Sequence, residues 1–406
     1  MAETAGDPPD DQVGASTSDV PSSDSAAVRL SVDVSAVPDE PVGAGVYTIE
    51  LVRALAGRPD VDLVVISRRG DGRRWHAVAP RAGLVAAAPE HRPVRLAWEQ
   101  VRLPALLRRE SVAVHHGPHY TMPERSRVPA VVTVHDLSFF EAAQWHERSK
   151  VVLFRRAISV AAQRAAAVVC PSRTTADELA RWCRVDAEVF VAHHGVDTGR
   201  FRPDEPAEGA DGAWLADLDQ RLVDGRPFLV FVGTLEPRKD VPTLVSAFTR
   251  VADRHPETLL VLAGGDGWGA ARIEQAIDAS GLTDRIIRTG YVRAEVVPAL
   301  LRSAVAAVYP ALYEGFGLPA LEALACGASL VTTAGTAMEE VAGDAAVLVP
   351  PGDVAALADA LDAELAGTGR ATDRRQRGLE IVARHTWEAS ADKHMKAYRY
   401  AARSER

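Results

Sequence analysis

The stretch YEGFGLPALEALACGASLVTT, residues 313–333, decides the fold, because it passes from a turn through a helix into a strand. The apolar run 304–309 before it predicts a buried strand, and Pro319 suits the first turn of a helix. That helix is expected to end at Cys326, and 329–333 predicts the next strand. The segment therefore predicts a βαβ unit, whose loop lies at the carboxyl edge of a parallel sheet, where open α/β folds bind ligands.

Two carboxylates lie in this otherwise apolar segment. Glu314 falls at the exit of the predicted strand, and Glu322 falls one turn into the helix, from which it can face the loop. The backbone N–H groups of Phe316, Gly317 and Leu318 point at the same space, because the first N–H groups of a helix lack partners within it. The pattern indicates a ligand site, and the alternative is a pair of solvated surface acids.

Length and composition limit the class of protein. The chain has 406 residues, of which 47% are hydrophobic, enough for two domains with cores of their own. Its net charge of −9 argues against nucleic acid as a partner. It contains neither a membrane-spanning apolar run nor a signal peptide, and its three cysteines lack metal-site spacing. These features predict a cytoplasmic protein with reduced thiols.

The chain divides into two series of alternating strands and helices. Residues 1–27 predict a disordered acidic tail, and 206–225 an irregular linker. The parts between them, 28–205 and 226–386, predict an α/β fold of two doubly wound, Rossmann-like domains that face each other across a cleft. The last helix, predicted at 387–402, has an aromatic and basic face, and we expect it to cross back onto the first domain.

A second informative stretch, FVGTLEPRKDVPTLVSAF, occupies residues 231–248. Its strand ends at Gly233, its loop carries Arg238 and Lys239, and Asp240 is expected to cap the following helix. Two cations beside a helix start suit a diphosphate, because arginine can hold two phosphate oxygens and lysine adds a mobile charge. The alternative is a solvated basic loop.

Together the two stretches indicate one ligand. A diphosphate would be repelled by the acids, so we expect the acids to accept hydrogen bonds from the vicinal hydroxyls of a ribose or hexose. A nucleotide sugar combines all three groups. A dinucleotide is disfavoured, because the glycines of LAGGDGWG at 262–269 have the wrong spacing and no acid ends the following strand.

On these motifs the chain resembles the retaining glycosyltransferases of family 4, which have the GT-B fold. The most specific element is the acid pair in EGFGLPALE, which the small-residue turn ACG follows. The loop GTLEPRKD has the form common among mannosyl- and other hexosyltransferases of bacterial envelope and polysaccharide pathways. Weaker matches are GAGVY, TVHDL, CPSRTTADEL and HHGVD. The resemblance covers nearly the whole chain after the tail.

The resemblance implies roles for residues of the second half. Glu322 corresponds to the acid that holds the nucleotide ribose, and Glu314 to the acid beside the donor sugar. Residues 316–318 offer backbone N–H groups to the sugar and phosphate. Arg238 and Lys239 correspond to the diphosphate clamp.

It also implies roles in the first half. His135 corresponds to the histidine near the reacting sugar and the acceptor, where the alternative is a strand-end histidine bonded to backbone. Gly43 and Gly45 correspond to a glycine loop near the donor phosphate and acceptor.

Two positions depart from the family pattern. Thr234, directly after Gly233 in the donor loop, stands where many members carry an arginine, so Arg238 would take over or the clamp would be weaker. His194 replaces a frequent asparagine, and we expect it to adopt a positive φ as asparagine does.

The implied function is the transfer of a hexose from a nucleotide-diphosphate sugar to a glycan or lipid-linked acceptor, with retained configuration and without a metal or other cofactor. We expect mannose from GDP-mannose, with UDP-hexoses as the next choice. One alternative is a non-hydrolysing sugar-nucleotide epimerase on the same fold, although no catalytic acids for it can be located in the first domain. The other is a non-catalytic sugar-binding protein, which should carry an export signal.

Two further patterns involve basic or titratable side chains. His115, His116 and His119 are expected to shape the acceptor side of the cleft, since their spacing with His135 does not suit a metal.

The basic, apolar helix predicted at 149–167, with 101–110, could rest on an anionic membrane at the inner face of the plasma membrane. Its alternative is a core-facing helix with a solvated basic face.

Overall fold

The computed structural model describes residues 27–204, 209–222, 224–368 and 371–404. The predicted acidic tail lies outside the described residues except for Ala27. The predicted linker is described in part, and it is more regular than expected, because Ala210–Leu218 forms a helix. Leu215 and Leu222 of this segment are buried in the core of the second domain, which explains why the segment is ordered.

The first domain is built on a parallel sheet of seven strands in the order β3-β2-β1-β4-β5-β6-β7. Its short strands are apolar and several are buried on both faces, as is usual for a parallel sheet covered by helices. The strands are Val28–Asp33 (β1), Val61–Arg68 (β2), Gly83–Ala88 (β3), Val114–Gly117 (β4), Ala130–Thr133 (β5), Ala167–Cys170 (β6) and Glu188–Val191 (β7).

The second domain repeats this plan with six parallel strands in the order β10-β9-β8-β11-β12-β13. In both sheets the order reverses beside the first strand, at β1/β4 and at β8/β11, and such switch points form ligand-binding crevices. The strands are Phe228–Val232 (β8), Leu259–Ala263 (β9), Ile286–Gly290 (β10), Ala306–Tyr309 (β11), Leu330–Thr333 (β12) and Val347–Val349 (β13).

Helices connect the strands and cover the faces of both sheets. In chain order they are Ala44–Ala56 (α1), Gly72–Val78 (α2), Arg92–Val101 (α3), Leu103–Arg109 (α4), Ser138–Glu141 (α5), Arg148–Arg164 (α6), Arg173–Trp182 (α7), Ala210–Leu218 (α8), Val241–Val251 (α9), Ala270–Ser280 (α10), Val297–Ser303 (α11), Leu318–Ala325 (α12), Ala337–Ala342 (α13), Val354–Leu365 (α14), Ala371–Val382 (α15) and Trp387–Arg403 (α16).

The last helix, α16, packs on the first domain. Trp387, Met395 and Tyr398 are buried in the same apolar cluster as β1 and α1. The chain therefore begins the first domain, builds the second and returns, so that two segments connect the domains.

The two domains touch directly at the carboxyl edges of their sheets. The hydroxyls of Ser172 and Thr175 in the first domain donate to the Gly315 carbonyl oxygen in the second, at 2.7 and 2.9 Å. Gly315 also lies against the His135 backbone, where an added Cβ would come within 1.8 Å of the carbonyl oxygen. The cleft is thus closed at this point by contacts that admit no side chain at position 315.

Candidate active site

One cavity of about 600 Å³ lies between the domains, and residues of both domains line it. It has the size of a small-molecule site. The predicted site residues on its wall are Gly43, His135, Gly233, Thr234, Arg238, Lys239, Glu314, Phe316, Gly317, Leu318 and Glu322. Gly45 does not line it, because that residue is buried within α1 against Pro41.

The cationic loop owes its position to the end of β8. The strand stops at Val232, Gly233 follows with φ of 150°, and a single 3₁₀ turn then carries Arg238 and Lys239. Asp240 stands at the N-cap of α9 as expected, but it adopts a left-handed conformation with φ of 50° and does not make the standard side-chain capping hydrogen bond. The left-handed residue ends the 3₁₀ turn and starts α9.

The cations are paired with an acid of the site. Arg238 Nη1 lies 2.8 Å from Glu314 Oε2, and Lys239 Nζ contacts the other oxygen of the same carboxylate. Arg238 Nε also donates to Glu236 at 2.9 Å. Burial and the neighbouring Arg238 lower the pKa of the Lys239 ammonium, and the charges of Glu236 and Asp136 oppose that shift.

This pairing is an interaction between the acid and the cations that the sequence did not predict. A buried lysine beside an arginine would be costly without a counter-ion, and Glu314 supplies that charge. The carboxylate therefore orients the clamp, and each of its oxygens already has a cationic partner.

Glu322 has a different environment on the same wall. It lies on α12 and has no hydrogen-bond or ion-pair partner among the residues that the structure describes. Burial raises the pKa of its carboxyl to about 7, and the Arg200 guanidinium opposes that shift. This carboxyl can therefore accept hydrogen bonds from a ligand at both of its oxygens.

The start of α12 offers donors to the same space. Gly317 adopts φ of 100° at the N-cap, and a Cβ there would come within 2.7 Å of the Met338 side chain. The N–H groups of Phe316, Gly317 and Leu318 have no acceptor within the described part of the chain. Free N–H groups at a helix start suit a negatively charged ligand.

His135 lies on the opposite wall as a neutral imidazole. Its Nε2–H donates to the Pro118 carbonyl oxygen at 2.7 Å, which leaves Nδ1 as an acceptor. Burial lowers the pKa of the ring. The residue thus combines the two interpretations of the sequence: it is fixed by a backbone carbonyl, and it lines the cavity.

Several cavity residues were not predicted as site residues. Asp136 follows His135 in the TVHDL motif, so the motif could have indicated it. No sequence motif pointed to Tyr120 or Arg200, which line the same cavity. Tyr120 adopts a left-handed conformation with φ of 66°, a strained geometry for an aromatic residue that is typical of functional sites.

His194 also lines the cavity, but the reason expected for its presence is wrong. It does not adopt a positive φ. Its ring packs between Tyr47 and Phe316 in tilted arrangements, with centroids 4.6 Å from each, and so connects the two domains through ring contacts.

The prediction that three neighbouring histidines shape the acceptor side is not supported. His115 and His116 lie inside β4 and are fully buried, with hydrogen bonds to Ser31 and to Thr133. His119 lies near Thr48 and does not line the cavity. Among the described residues, no three histidine, cysteine or acidic side chains come together as metal ligands.

The basic helix α6 has most of its charge engaged within the protein. Lys150 pairs with Glu147, Arg156 pairs with Glu124, and Arg155 donates to the Phe139 carbonyl oxygen. Val152 remains largely exposed between them. In the part of the chain that is described, no helix is both long and apolar enough to cross a bilayer.

Comparisons with known proteins agree with this architecture. The family model for "Glycosyltransferase Family 4" matches residues 41–200, and that for "Glycosyl transferases group 1" matches residues 217–379. The O-antigen chain mannosyltransferase B of Escherichia coli is 28% identical over 382 residues, which are 88% of this chain and 96% of that protein.

Solved structures share the fold over nearly the whole chain. Sucrose-phosphate synthase from Thermosynechococcus elongatus aligns with a TM-score of 0.74 and 22% identity, covering 92% of this chain and 98% of that one. HepE from Anabaena, solved in complex with UDP and glucose, aligns with a TM-score of 0.69 and 16% identity, covering 91% and 98%. With a family model matched to each domain and this fold shared throughout, the chain belongs to the glycosyltransferases of family 4 and has the two-domain GT-B architecture.

Proposed function

We propose that this glycosyltransferase moves a hexose from a nucleotide-diphosphate sugar to a glycan or lipid-linked acceptor in envelope or polysaccharide biosynthesis. One observation carries the proposal. Arg238, Lys239, Glu314 and Glu322 share one cavity with the free N–H groups at the start of α12. The cations and N–H groups suit a diphosphate, and the unpaired acid suits the ribose hydroxyls.

The reaction breaks the bond between the anomeric carbon and the phosphate oxygen. Negative charge develops on the departing diphosphate, and Arg238, Lys239 and the amides of α12 would stabilise it as it forms. The acceptor hydroxyl oxygen forms the new bond to the anomeric carbon, and its proton passes to the departing phosphate oxygen. Glu314 holds the two cations in place for this step.

The first-domain wall would position the sugar and the acceptor. Nδ1 of His135 can accept a hydrogen bond from a sugar hydroxyl, since Nε2 is already used by Pro118. Retention of configuration and independence from metal belong to the proposal as well. The two built-in cations supply the charge that a divalent metal would otherwise supply to the diphosphate.

For the donor, we propose GDP-mannose. The support is the likeness of this chain to a relative named as a mannosyltransferase over most of both lengths. UDP-hexoses are the second candidate, because a structure with the same fold was solved with UDP and glucose.

The decisive experiment has two parts. A thermal-shift panel of GDP, UDP, ADP and dTDP identifies the base, and the matching radiolabelled sugar nucleotides are then incubated with the protein. Transfer to an acceptor or slow donor hydrolysis supports a transferase, and the anomeric proton of the product, read by NMR, reports retention. An isomerised sugar nucleotide would instead indicate an epimerase, and binding without turnover a sugar-binding protein.

Membrane contact through residues 149–167 is a separate part of the proposal. The exposed Val152 between basic side chains supports it, but the ion pairs of Lys150 and Arg156 reduce the charge available for anionic lipid. Flotation with liposomes that contain anionic lipid at low salt should recover the protein. Absence from the floating fraction under these conditions would remove this part of the proposal and leave the transferase activity unaffected.

A further inference from the structure

A second cavity, of about 320 Å³, lies beside the connection that returns the chain to the first domain. Its wall includes Arg173 at the start of α7, Glu340 of α13, Arg384 in the returning connection, and Ser390 and Lys393 on α16. None of these residues lines the larger cavity. The second cavity is therefore a separate site, assembled from both domains and from the segment that joins them.

One face of α16 forms a wall of this cavity. The lining residues Thr386, Ala389, Ser390 and Lys393 recur at the spacing of three and four residues that places side chains on one side of a helix. The hydroxyl of Ser390 is on this face, is almost completely buried, and has no hydrogen-bond partner among the described residues. A buried hydroxyl without a partner costs free energy, so a ligand atom at this position would be favourable.

His194 contributes a second such atom. The residue lies on the wall of both cavities, and its Nδ1 is buried without a partner in the described part of the chain. Two unsatisfied polar groups on the wall of one small cavity indicate that polar atoms of a ligand complete it.

Among the described residues of this wall there is one carboxylate, that of Glu340, and its hydrogen-bonding capacity is already used. Glu340 accepts the backbone N–H groups of Arg173 and Thr174 at 2.7 and 2.9 Å, and also the Thr174 hydroxyl and His193 Nε2. These donors hold the pKa of its carboxyl at about 2, against the effect of burial. Its charge is thus balanced by the N-terminus of α7 and by His193.

The positive charges of the three basic side chains at the cavity are not neutralised by nearby acids in the same way. Within the described residues, the side chains of Arg173, Arg384 and Lys393 have no ion-pair partner. All three are exposed to solvent at the cavity and belong to three different segments. Three unpaired cations around a cavity with buried, unsatisfied polar atoms form an environment that attracts a compact anion.

We propose that this second cavity binds a small phosphorylated molecule, with its phosphate held by Arg173, Arg384 and Lys393 and its polar part directed at Ser390. Arginine can hold two phosphate oxygens at once, and lysine supplies a further charge. The cavity is larger than a bare phosphate requires, which favours a sugar phosphate over inorganic phosphate.

Occupancy of this cavity would influence the relative position of the domains. Glu340 belongs to the second domain and holds the start of α7 in the first, while Arg384 and Lys393 lie on the returning chain. A phosphate that bridges these segments would favour the arrangement of the two domains seen here.

The test uses the full-length protein in a phosphate-free buffer. Binding of inorganic phosphate and of glucose 6-phosphate is measured by isothermal titration calorimetry for the wild type, Arg384→Ala and Lys393→Ala. Loss of one charged contact should weaken binding by about tenfold for either probe. Lys396→Ala is the matched control, because Lys396 lies on the same helix, is exposed, and does not line the cavity.

Lys239→Ala provides a second control, since a phosphate probe could also enter the donor cavity. The proposal requires that Lys396→Ala binds both probes as the wild type does, and that Lys239→Ala keeps the component of binding that Arg384→Ala and Lys393→Ala lose. It is overturned by the absence of saturable binding in the wild type, by a loss confined to Lys239→Ala, or by equal losses in Lys393→Ala and Lys396→Ala. Circular dichroism and the Tm establish that each variant is folded. We expect Arg384→Ala and Lys393→Ala to fold, because both side chains are exposed to solvent.

Discussion

Each domain carries a cluster of polar side chains near the carboxyl edge of its sheet. The cluster of the first domain points into the core, whereas that of the second domain points into the cavity between the domains. In the first domain, His116 bonds Thr133 and Tyr398 at 2.8 and 2.9 Å, entirely within the core. In the second, Lys239 and Glu322 stand on the wall of the open cavity. The first cluster is complete without a ligand, whereas the second leaves a carboxyl and a row of N–H groups unsatisfied.

The difference shows which polar groups can serve a ligand. A buried polar group that has its partners contributes to the fold, and a polar group that lacks them adds binding capacity at a cost in stability. Substitutions in the second-domain cluster should therefore change activity much more than stability, and substitutions in the first-domain cluster should do the reverse.

Lys239→Ala should show the largest effect. Removing one donor that stabilises developing charge typically lowers turnover by about 10²–10³-fold. The fold should persist, because Glu314 keeps its ion pair with Arg238. Initial rates of hexose transfer and the Tm check both statements, with the exposed Lys396→Ala as the matched lysine control. Wild-type turnover in Lys239→Ala would show that the clamp lies elsewhere.

The second-domain cluster was also the part of the site most open to prediction from sequence. Its residues come from two short stretches, and the strand predicted before the cationic loop ends within one residue of β8, which stops at Val232. Glycines and prolines marked the loop and helix starts. The pairing of Glu314 with Arg238 and Lys239 was missed, because the distance between side chains on separate loops depends on the packing of β8 against β11.

The first domain was predicted less well for physical reasons. The strand Gly83–Ala88 is a small-residue edge strand, and the helices Gly72–Val78 and Leu103–Arg109 have only seven residues each, too few for a periodic pattern to stand out. His115 and His116 lie within strand β4, Val114–Gly117, and this position places both side chains in the core instead of the cleft. The partner of His116, Tyr398, lies on a helix from the other end of the chain, which no local pattern could indicate.

Gly315→Ala should show the next largest effect, because it acts on the contact between the two domains. A Cβ would collide with the His135 carbonyl oxygen and force the domains apart at the reacting centre. A displacement of this kind can lower turnover by about 10²-fold. Gly212→Ala is the control, since Gly212 lies in a helix with no atom near its missing Cβ. Equal turnover in the two variants would mean that this contact is not needed for transfer.

Glu322→Gln should show a smaller effect that depends on pH. If the donor ribose needs the ionised carboxylate, a pKa of about 7 makes the apparent KM of the wild type for the donor rise by about tenfold between pH 8 and pH 6. The glutamine variant should bind the donor weakly at both pH values. A flat wild-type profile would show that Glu322 does not contact the donor in its charged form.

Glu322 also makes the free energy of unfolding depend on pH. Donor binding should need the ionised carboxylate, whereas the folded protein without ligand is more stable with the carboxyl protonated. Because the folded pKa is raised above the unfolded value of about 4.3, the favourable contribution of Glu322 is complete below that value and is lost as pH rises through about 7. The Tm of Glu322→Gln should therefore gain on that of the wild type between pH 5 and pH 8, in the absence of ligand. A constant difference would indicate an unperturbed carboxyl.

His116→Leu should leave activity per folded molecule within about twofold and lower stability instead. The change leaves the Tyr398 hydroxyl buried without its partner, which typically costs about 1–3 kcal/mol. Tyr398→Phe should destabilise to a similar extent, and because the two side chains share one hydrogen bond, the double variant should lose less stability than the two single losses combined. A lower turnover in His116→Leu, measured well below its Tm, would contradict the division between the clusters, because a histidine confined to the core has no direct path to the donor.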